Sequence, residues 1–544
     1  MNGTKEPDWR AMGLWRDDDL WSSFVAAADG PGRNATVRDE AGTVSLSGLL
    51  AAALRVAGGY RAAGVGAGDA VVVQARNSID AYAAVLAGFS QGIVAVPVPP
   101  MFSPGQLIAV ASNSNARAMV LLEEGSAGVA AELLSALPDL KAAFVGDRVP
   151  QHADARMQPW ANARDAAPAP ASPPGPDADA LVLYSSGSTG APKGVVHSGN
   201  SLRFAIEALA RFHEVAPADR VLVVLEFGFV GGTVLGALLA FMAGASTVLM
   251  RKWDAGRCMS TIERERCTYT LLMPTHVYDV VNHPALGAVD CSSMRRAILA
   301  GGSTEQRRRA TGAFCAIALP MYGMSESMAH CTCALDDPEE MRVTVDGRAL
   351  PGTEMRILTE AGQPALPGET GRVYLRGPNR LRRYQSRPDL NERVIDADGW
   401  FDTGDKARVS EGGCMTFQGR ASEVIRRGGM MIQPAEVEAA FRGMSGVAEV
   451  AVIGIPDERL GERACACILS HDLAPDLESM RAHLQSVGLP RYQWPELLLN
   501  FREFPRTPSL KVRRADLALL AREQLGKLHQ SEGLLHGSSR QDAM

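Results

Sequence analysis

The chain has 544 residues, 46% of them hydrophobic and 21% charged, with a net charge of −6. That length exceeds one ordinary hydrophobic core and calls for two or more domains, while the acidic balance argues against a nucleic-acid binder. No basic-then-apolar leader opens the sequence, and nine cysteines without CxxC pairs fit reduced thiols in a cytoplasm.

After an approach segment of about forty residues, strands and helices alternate. Residues 45–64 read as a helix, with Leu46, Leu49, Leu50, Leu54 and Val56 on its apolar face. Ala70–Gln74 reads as a short strand, 81–90 as a helix, 92–97 as a strand closed by prolines, and 118–122 as a further strand. Such alternation predicts an α/β protein with parallel, doubly wound sheets. Residues 165–180, DAAPAPASPPGPDADA, admit neither helix nor central strand and form a connector.

The connector delivers the chain to LVLYSSGSTGAPKGVVHS at 181–198. An apolar strand breaks into a run of Ser, Gly and Thr, and a second apolar pair follows the lysine. Gly187 and Gly190 let the backbone turn its N–H groups toward one point, Ser185, Ser186, Ser188 and Thr189 add hydroxyl donors, and Lys193 adds a full charge. Gly/Ser/Thr clusters between strands are usually plain surface loops. Here the proline and lysine fixed after the glycines favour nucleoside-triphosphate phosphates, although Gly194 after the lysine departs from the Walker A pattern. The run resembles the phosphate-loop signature of the adenylate-forming superfamily, which includes acyl-CoA synthetases, peptide-synthetase adenylation domains and luciferases.

Downstream, 202–212 reads as helix and 221–225 as strand. The uncharged stretch 227–250 is long enough to span a bilayer. Its glycines and its Ser-Thr-Val-Leu-Met ending favour a buried helix leading into a buried strand instead, so no membrane span is expected. Strands follow at 268–273 and 297–300, the latter ending at Gly301-Gly302-Ser303. Cys331/Cys333 and Cys465/Cys467 each share one face of a strand as small buried hydrophobes.

Tyr322-Gly323-Met324-Ser325-Glu326 resembles the superfamily's YGxTE motif, with Ser325 in the threonine place. The resemblance implies that Tyr322 stacks on adenine and Glu326 coordinates Mg²⁺ on the triphosphate, with Gly301, Gly302, Gly323 and Ser325 along the nucleotide. An aromatic face suits a purine and a hard oxygen suits Mg²⁺. Alone, Asp405 after Gly404 would be a turn aspartate. Within DGWFDTGD it resembles the ribose motif, so Asp405, with Arg420, is expected on the ribose side. The segment PRTPSLKVRR at 505–514 lies in the position of the superfamily's PxTxxGK motif and makes Lys511 the implied catalytic lysine.

The architecture so implied is a large N-terminal domain of packed α/β subdomains over 1–419, a small mobile α+β domain over 420–526 and a disordered tail over 527–544. The expected reaction joins a carboxylic acid to ATP, giving acyl-AMP and pyrophosphate, then forms the thioester with CoA; the alternatives are transfer to a carrier protein or a separate thiolating enzyme and, more remotely, a non-catalytic ATP- or acyl-binding regulator. Lys511 would face the α-phosphate, and Lys193 the β- and γ-phosphates. Amino-acid-activating relatives carry an aspartate near the position of Val230, and none stands there. The expected pocket is therefore apolar and fits aryl, alicyclic or other bulky acids, lined by Phe227, Phe229, Val230, Gly231, Gly301, Gly302, Met324 and Met328. Two departures bear on the thiol step: the hinge position is Ser422, and the glycine before the lysine is Leu510.

Overall fold

The computed structural model describes residues 6–537, apart from 186–192, 302–303, 421–423, 428–429, 442, 458–459, 471–473 and 508–509. Two large sheets form the N-terminal part. The first contains, in spatial order, Arg383–Tyr384, Lys193–Ser198, Asp179–Ser185, Val94–Val98, Ala70–Gln74, Ala116–Leu121, Ala142–Val145 and Met157–Pro159. From Asp179–Ser185 outward to Met157–Pro159 its pairings are parallel, and the edge formed by Lys193–Ser198 and Arg383–Tyr384 is antiparallel. The second sheet has the parallel run Ile317–Met324, Arg296–Ala300, Tyr269–Leu272, Arg220–Val223, Ser246–Leu249 and Thr36–Arg38, with antiparallel strands at both edges.

The helices Leu46–Ala62 and Ile79–Gln91 pack on each other, and one continuous apolar core reaches from them into both sheets. Each is started by a serine whose side chain accepts a backbone N–H of the first turn, Ser45 from Gly48 and Ser78 from Ala81. Tyr82 sets its ring edge-on to Phe227 and Phe241 of the second half, at 5.4 and 5.6 Å. The uncharged stretch is a buried helix followed by the strand Ser246–Leu249, as expected, but its middle, Thr233–Leu238, is a π-helix. Among the described residues no helix is long and apolar enough to cross a membrane.

A four-stranded sheet, Glu354–Leu358, Thr370–Arg376, Phe401–Val409 and Met415–Arg420, leads to a smaller C-terminal unit. There Met430–Ile432, Ile425–Arg427, Gly461–Leu469 and Glu449–Asp457 pair antiparallel, and Leu497–Phe501 joins Gly461–Leu469 in parallel. One face of this sheet buries Ile425, Val437, Met480 and Leu484, the other Cys465, Cys467, Leu517 and Ala521. All nine cysteines are buried and free. The last helix runs Arg514–Gly537, past Gly526, so the segment expected as a disordered tail begins as the continuation of a helix.

Four buried histidines, His197, His213, His276 and His330, are held neutral by desolvation, which lowers His197, His276 and His330 from 6.5 to about 4 and His213 to about 3. With depressed folded values, their stabilisation is fully present above pH 6.5 and is lost as the pH falls toward 4. Thermal midpoints measured from pH 8 to pH 4 should therefore be flat down to about pH 7 and then fall steeply through that window. Leu510 occupies left-handed backbone at φ 62° and is 40% exposed. A side chain there costs on the order of 1 kcal/mol while burying little, so Leu510→Gly is expected to stabilise the C-terminal unit by up to about that amount in urea unfolding.

Candidate functional site

The phosphate segment is a hairpin. Asp179–Ser185 pairs antiparallel with Lys193–Ser198, and Ser185 opposite Lys193 is the last pair before the loop. Ser186, Gly187, Ser188, Thr189 and Gly190 lie outside the described residues, as do Gly302 and Ser422. What the structure fixes is the loop's base, which puts Lys193 at the end of the antiparallel pair near one edge of the first sheet.

Beside it, Ile317–Met324 turns back into Met328–Thr332, and the turn carries Ser325 and Glu326. This turn is tight enough that a Cβ on Gly323 would lie 1.9 Å from the Met328 carbonyl oxygen, so glycine is required by close approach. His197 fastens the turn from the phosphate hairpin, with Nε2 2.7 Å from the Ser325 carbonyl oxygen. A carbonyl only accepts, so Nε2 of this neutral ring carries the proton. Glu326 is fixed at both ends: its carbonyl accepts from the Leu381 N–H at 2.6 Å, and its Oε1 accepts from the Tyr384 hydroxyl at 2.8 Å.

The ribose motif meets this hairpin side-on. The Tyr322 hydroxyl donates to Asp405 Oδ2 at 2.7 Å, and the Tyr322 ring lies 6.1 Å from that of Phe417. Arg420, opposite Asp405 in the paired strands, sets its Nε 3.0 Å from Oδ1 and donates from Nη1 to the Thr403 carbonyl at 2.9 Å. Asp405 is only 2% exposed. Burial raises its pKa, opposed by the charge of Arg420, the Tyr322 hydrogen bond and the charge of Lys511. Asp405 Oδ1 is buried and, beyond its ion pair with Arg420, accepts no well-formed hydrogen bond among the described residues, so a sugar hydroxyl could still donate to it.

The influence of Lys511 on Asp405 brings the C-terminal unit to the same place. Lys511 sits in a tight loop, its N–H donating to Thr507 Oγ1 at 3.1 Å and its carbonyl accepting from the Thr507 N–H at 2.7 Å. Tyr322, Glu326, Lys193, Asp405, Arg420 and Lys511 thus form one constellation. No group of three or more His, Cys, Asp or Glu that could hold a metal exists among the described residues. A Mg²⁺ ion would need only one or two carboxylates here, because it keeps water and substrate oxygens, and Glu326 is a carboxylate this site offers.

The acyl lining needs correction. Phe227 is fully buried and packs against Tyr82, and Met328 is fully buried at φ 55°, so neither presents a surface to a ligand. Phe229, Val230 and Met324 are half-buried, Gly231 is buried and Gly301 is exposed. Glu226, just ahead of this wall, has its Oε2 buried without a hydrogen bond, and desolvation raises its pKa.

Tyr384 and His197 were missed in the sequence. Nothing in the run Arg380-Leu381-Arg382-Arg383-Tyr384 marks a tyrosine that reaches a carboxylate fifty-eight positions earlier. Only the pairing of Arg383–Tyr384 with Lys193–Ser198 places it there.

Residues 24–385 match the family model of the AMP-binding enzyme, and residues 436–511 that of the AMP-binding enzyme C-terminal domain. A sulfoacetate–CoA ligase of Cupriavidus necator is 31% identical over 91% of this chain and 96% of its own length. A vibriobactin-specific 2,3-dihydroxybenzoate–AMP ligase of Vibrio cholerae is 28% identical over 93% and 94%. The crystal structure of ATP-bound MatB from Rhodopseudomonas palustris, 24% identical, superposes with a TM-score of 0.82 over 93% of this chain and 99% of that one and shares the fold. With both family models matched in order, the chain belongs to the AMP-binding enzymes of the adenylate-forming superfamily.

Proposed function

We propose that this enzyme uses ATP and Mg²⁺ to convert a non-amino-acid carboxylic acid to its acyl-adenylate, and then forms the CoA thioester. The observation that carries the reading is the buried Asp405 held by Tyr322 and Arg420, which the charge of Lys511 reaches from the C-terminal unit. A carboxylate attacking the α-phosphorus meets like charge, and negative charge gathers on the equatorial and leaving oxygens. Cations aimed there lower the barrier most.

Each residue then has one task. Asp405 and Arg420 hold the ribose, the Tyr322 ring packs on the base, Lys193 faces the β- and γ-phosphates, and Lys511 neutralises the carboxylate and α-phosphate as they approach. Glu326 would hold Mg²⁺, which when bound would supply charge neutralisation to the departing pyrophosphate. In the first step the acid oxygen bonds to the α-phosphorus and the bond to pyrophosphate breaks. In the second the thiol of CoA replaces AMP on the acyl carbon and releases its proton. The half-buried apolar residues Phe229, Val230 and Met324, with no acid at Val230, favour an aryl, alicyclic or other bulky acid over an α-amino acid. A swing of the C-terminal unit about Ser422 would separate the two steps.

A second reading, adenylation followed by transfer to a carrier protein, draws on the likeness to the Vibrio cholerae AMP ligase and on Leu510 beside the lysine. The two part at the acceptor. Incubation with ATP, CoA and a panel of aryl and alicyclic acids is expected to give acyl-CoA and AMP by mass spectrometry; acyl-AMP without thioester would select the carrier reading. Lys511→Ala is expected to fold and bind ATP normally while losing roughly 100-fold in carboxylate-dependent pyrophosphate release, and an unimpaired rate would remove Lys511 from the reaction.

A further inference from the structure

Tyr384 belongs to none of the motifs that identify the site, yet it hydrogen-bonds Glu326 and its ring lies near Lys193. Its two-residue strand lies against Lys193–Ser198, with Tyr384 opposite Val195. Asn391 locks the backbone, its Oδ1 accepting from the Tyr384 N–H at 2.7 Å and its Nδ2 donating to the Tyr384 carbonyl at 3.2 Å. Gln385 adds an N–H to the Gly194 carbonyl at 2.7 Å. The ring is 5% exposed and packs with Val195, Leu381 and Leu390. From this fixed base the hydroxyl donates to Glu326 Oε1 at 2.8 Å, and the Lys193 Nζ stands 6.0 Å from the ring centroid, at the outer range of a cation–π contact.

We propose that Tyr384 is the positioning residue of the metal and phosphate half of the site, committing one oxygen of Glu326 to a hydrogen bond so that Oε2 is presented to Mg²⁺, while its ring steadies Lys193. A glutamate side chain left loose must give up rotamer freedom when it binds a metal. Mg²⁺ demands near-ideal geometry, and the partner that orients a metal's ligand is typically worth 10–100-fold in metal affinity.

The inference rests on Glu326 as the Mg²⁺ ligand, and the experiment separates the two. Calorimetry would measure ATP binding with Mg²⁺ and in EDTA for the wild type, Tyr384→Phe, Glu326→Gln and the double variant, with thermal melts alongside. Tyr384→Phe is expected to weaken Mg²⁺–ATP binding roughly tenfold, to leave Mg²⁺-free ATP binding within about twofold, and to add nothing to Glu326→Gln. Tyr384→Leu, which also removes the ring, is expected to weaken Mg²⁺-free ATP binding as well. If Tyr384→Phe binds Mg²⁺–ATP as the wild type does while Glu326→Gln is impaired, or loses both forms of ATP equally, the positioning role is overturned. If Glu326→Gln itself binds normally, the assignment of the metal ligand falls instead.

Discussion

A carboxylate buried to 2% exposure is the constraint on which this site depends. Removing Asp405 from water disfavours its charge, and the neighbours that oppose this come from three separate parts of the chain. Tyr322 arrives on the last parallel strand of the second large sheet, Arg420 on the strand beside Asp405, and Lys511 on a loop of the C-terminal unit. None of them could act from its own element alone. The fold brings them together, and the buried Oδ1 of Asp405, ion-paired with Arg420, keeps acceptor capacity for a ligand to complete the set.

Around that point the scaffold converts strand ends into a binding surface. The phosphate hairpin and the Tyr322 hairpin stand side by side, and His197 joins them through a carbonyl. Gly323 lets its strand pass within contact of the Met328 carbonyl. The strand Arg383–Tyr384 closes the far edge, so that Glu326 is held from two directions. Ligand sites outside the carboxyl ends of parallel strands follow from this kind of architecture, since the loops there converge while the strands beneath stay rigid.

Much of this was legible before folding. Ala70–Gln74 is a strand with the expected bounds, the helix read over 45–64 spans Leu46–Ala62, and the uncharged stretch is buried helix and strand. Those elements are decided by local pattern, which a sequence carries directly. The acyl wall was less legible. Phe227 and Met328 are apolar like their neighbours, and only packing against Tyr82 and a left-handed backbone turn them into the core. Apolar side chains look alike in a sequence whether they face a ligand or the interior. The helix extending to Gly537 likewise escaped a reading based on periodicity, which is weak in that segment.

The sequence by itself determined the superfamily, the order of its motifs and the residue types that can hold a nucleotide, because those depend on short runs whose chemistry is local. It also excluded an acid at Val230, where amino-acid-activating relatives place one. The tertiary structure decided which of those residues meet. The ion pair of Asp405 with Arg420, the approach of Lys511 and the grip of Tyr384 on Glu326 all join positions far apart in the chain or on different strands. Strand order and register set the first and the last of these, the packing of the C-terminal unit sets the second, and none is written in any single stretch of residues.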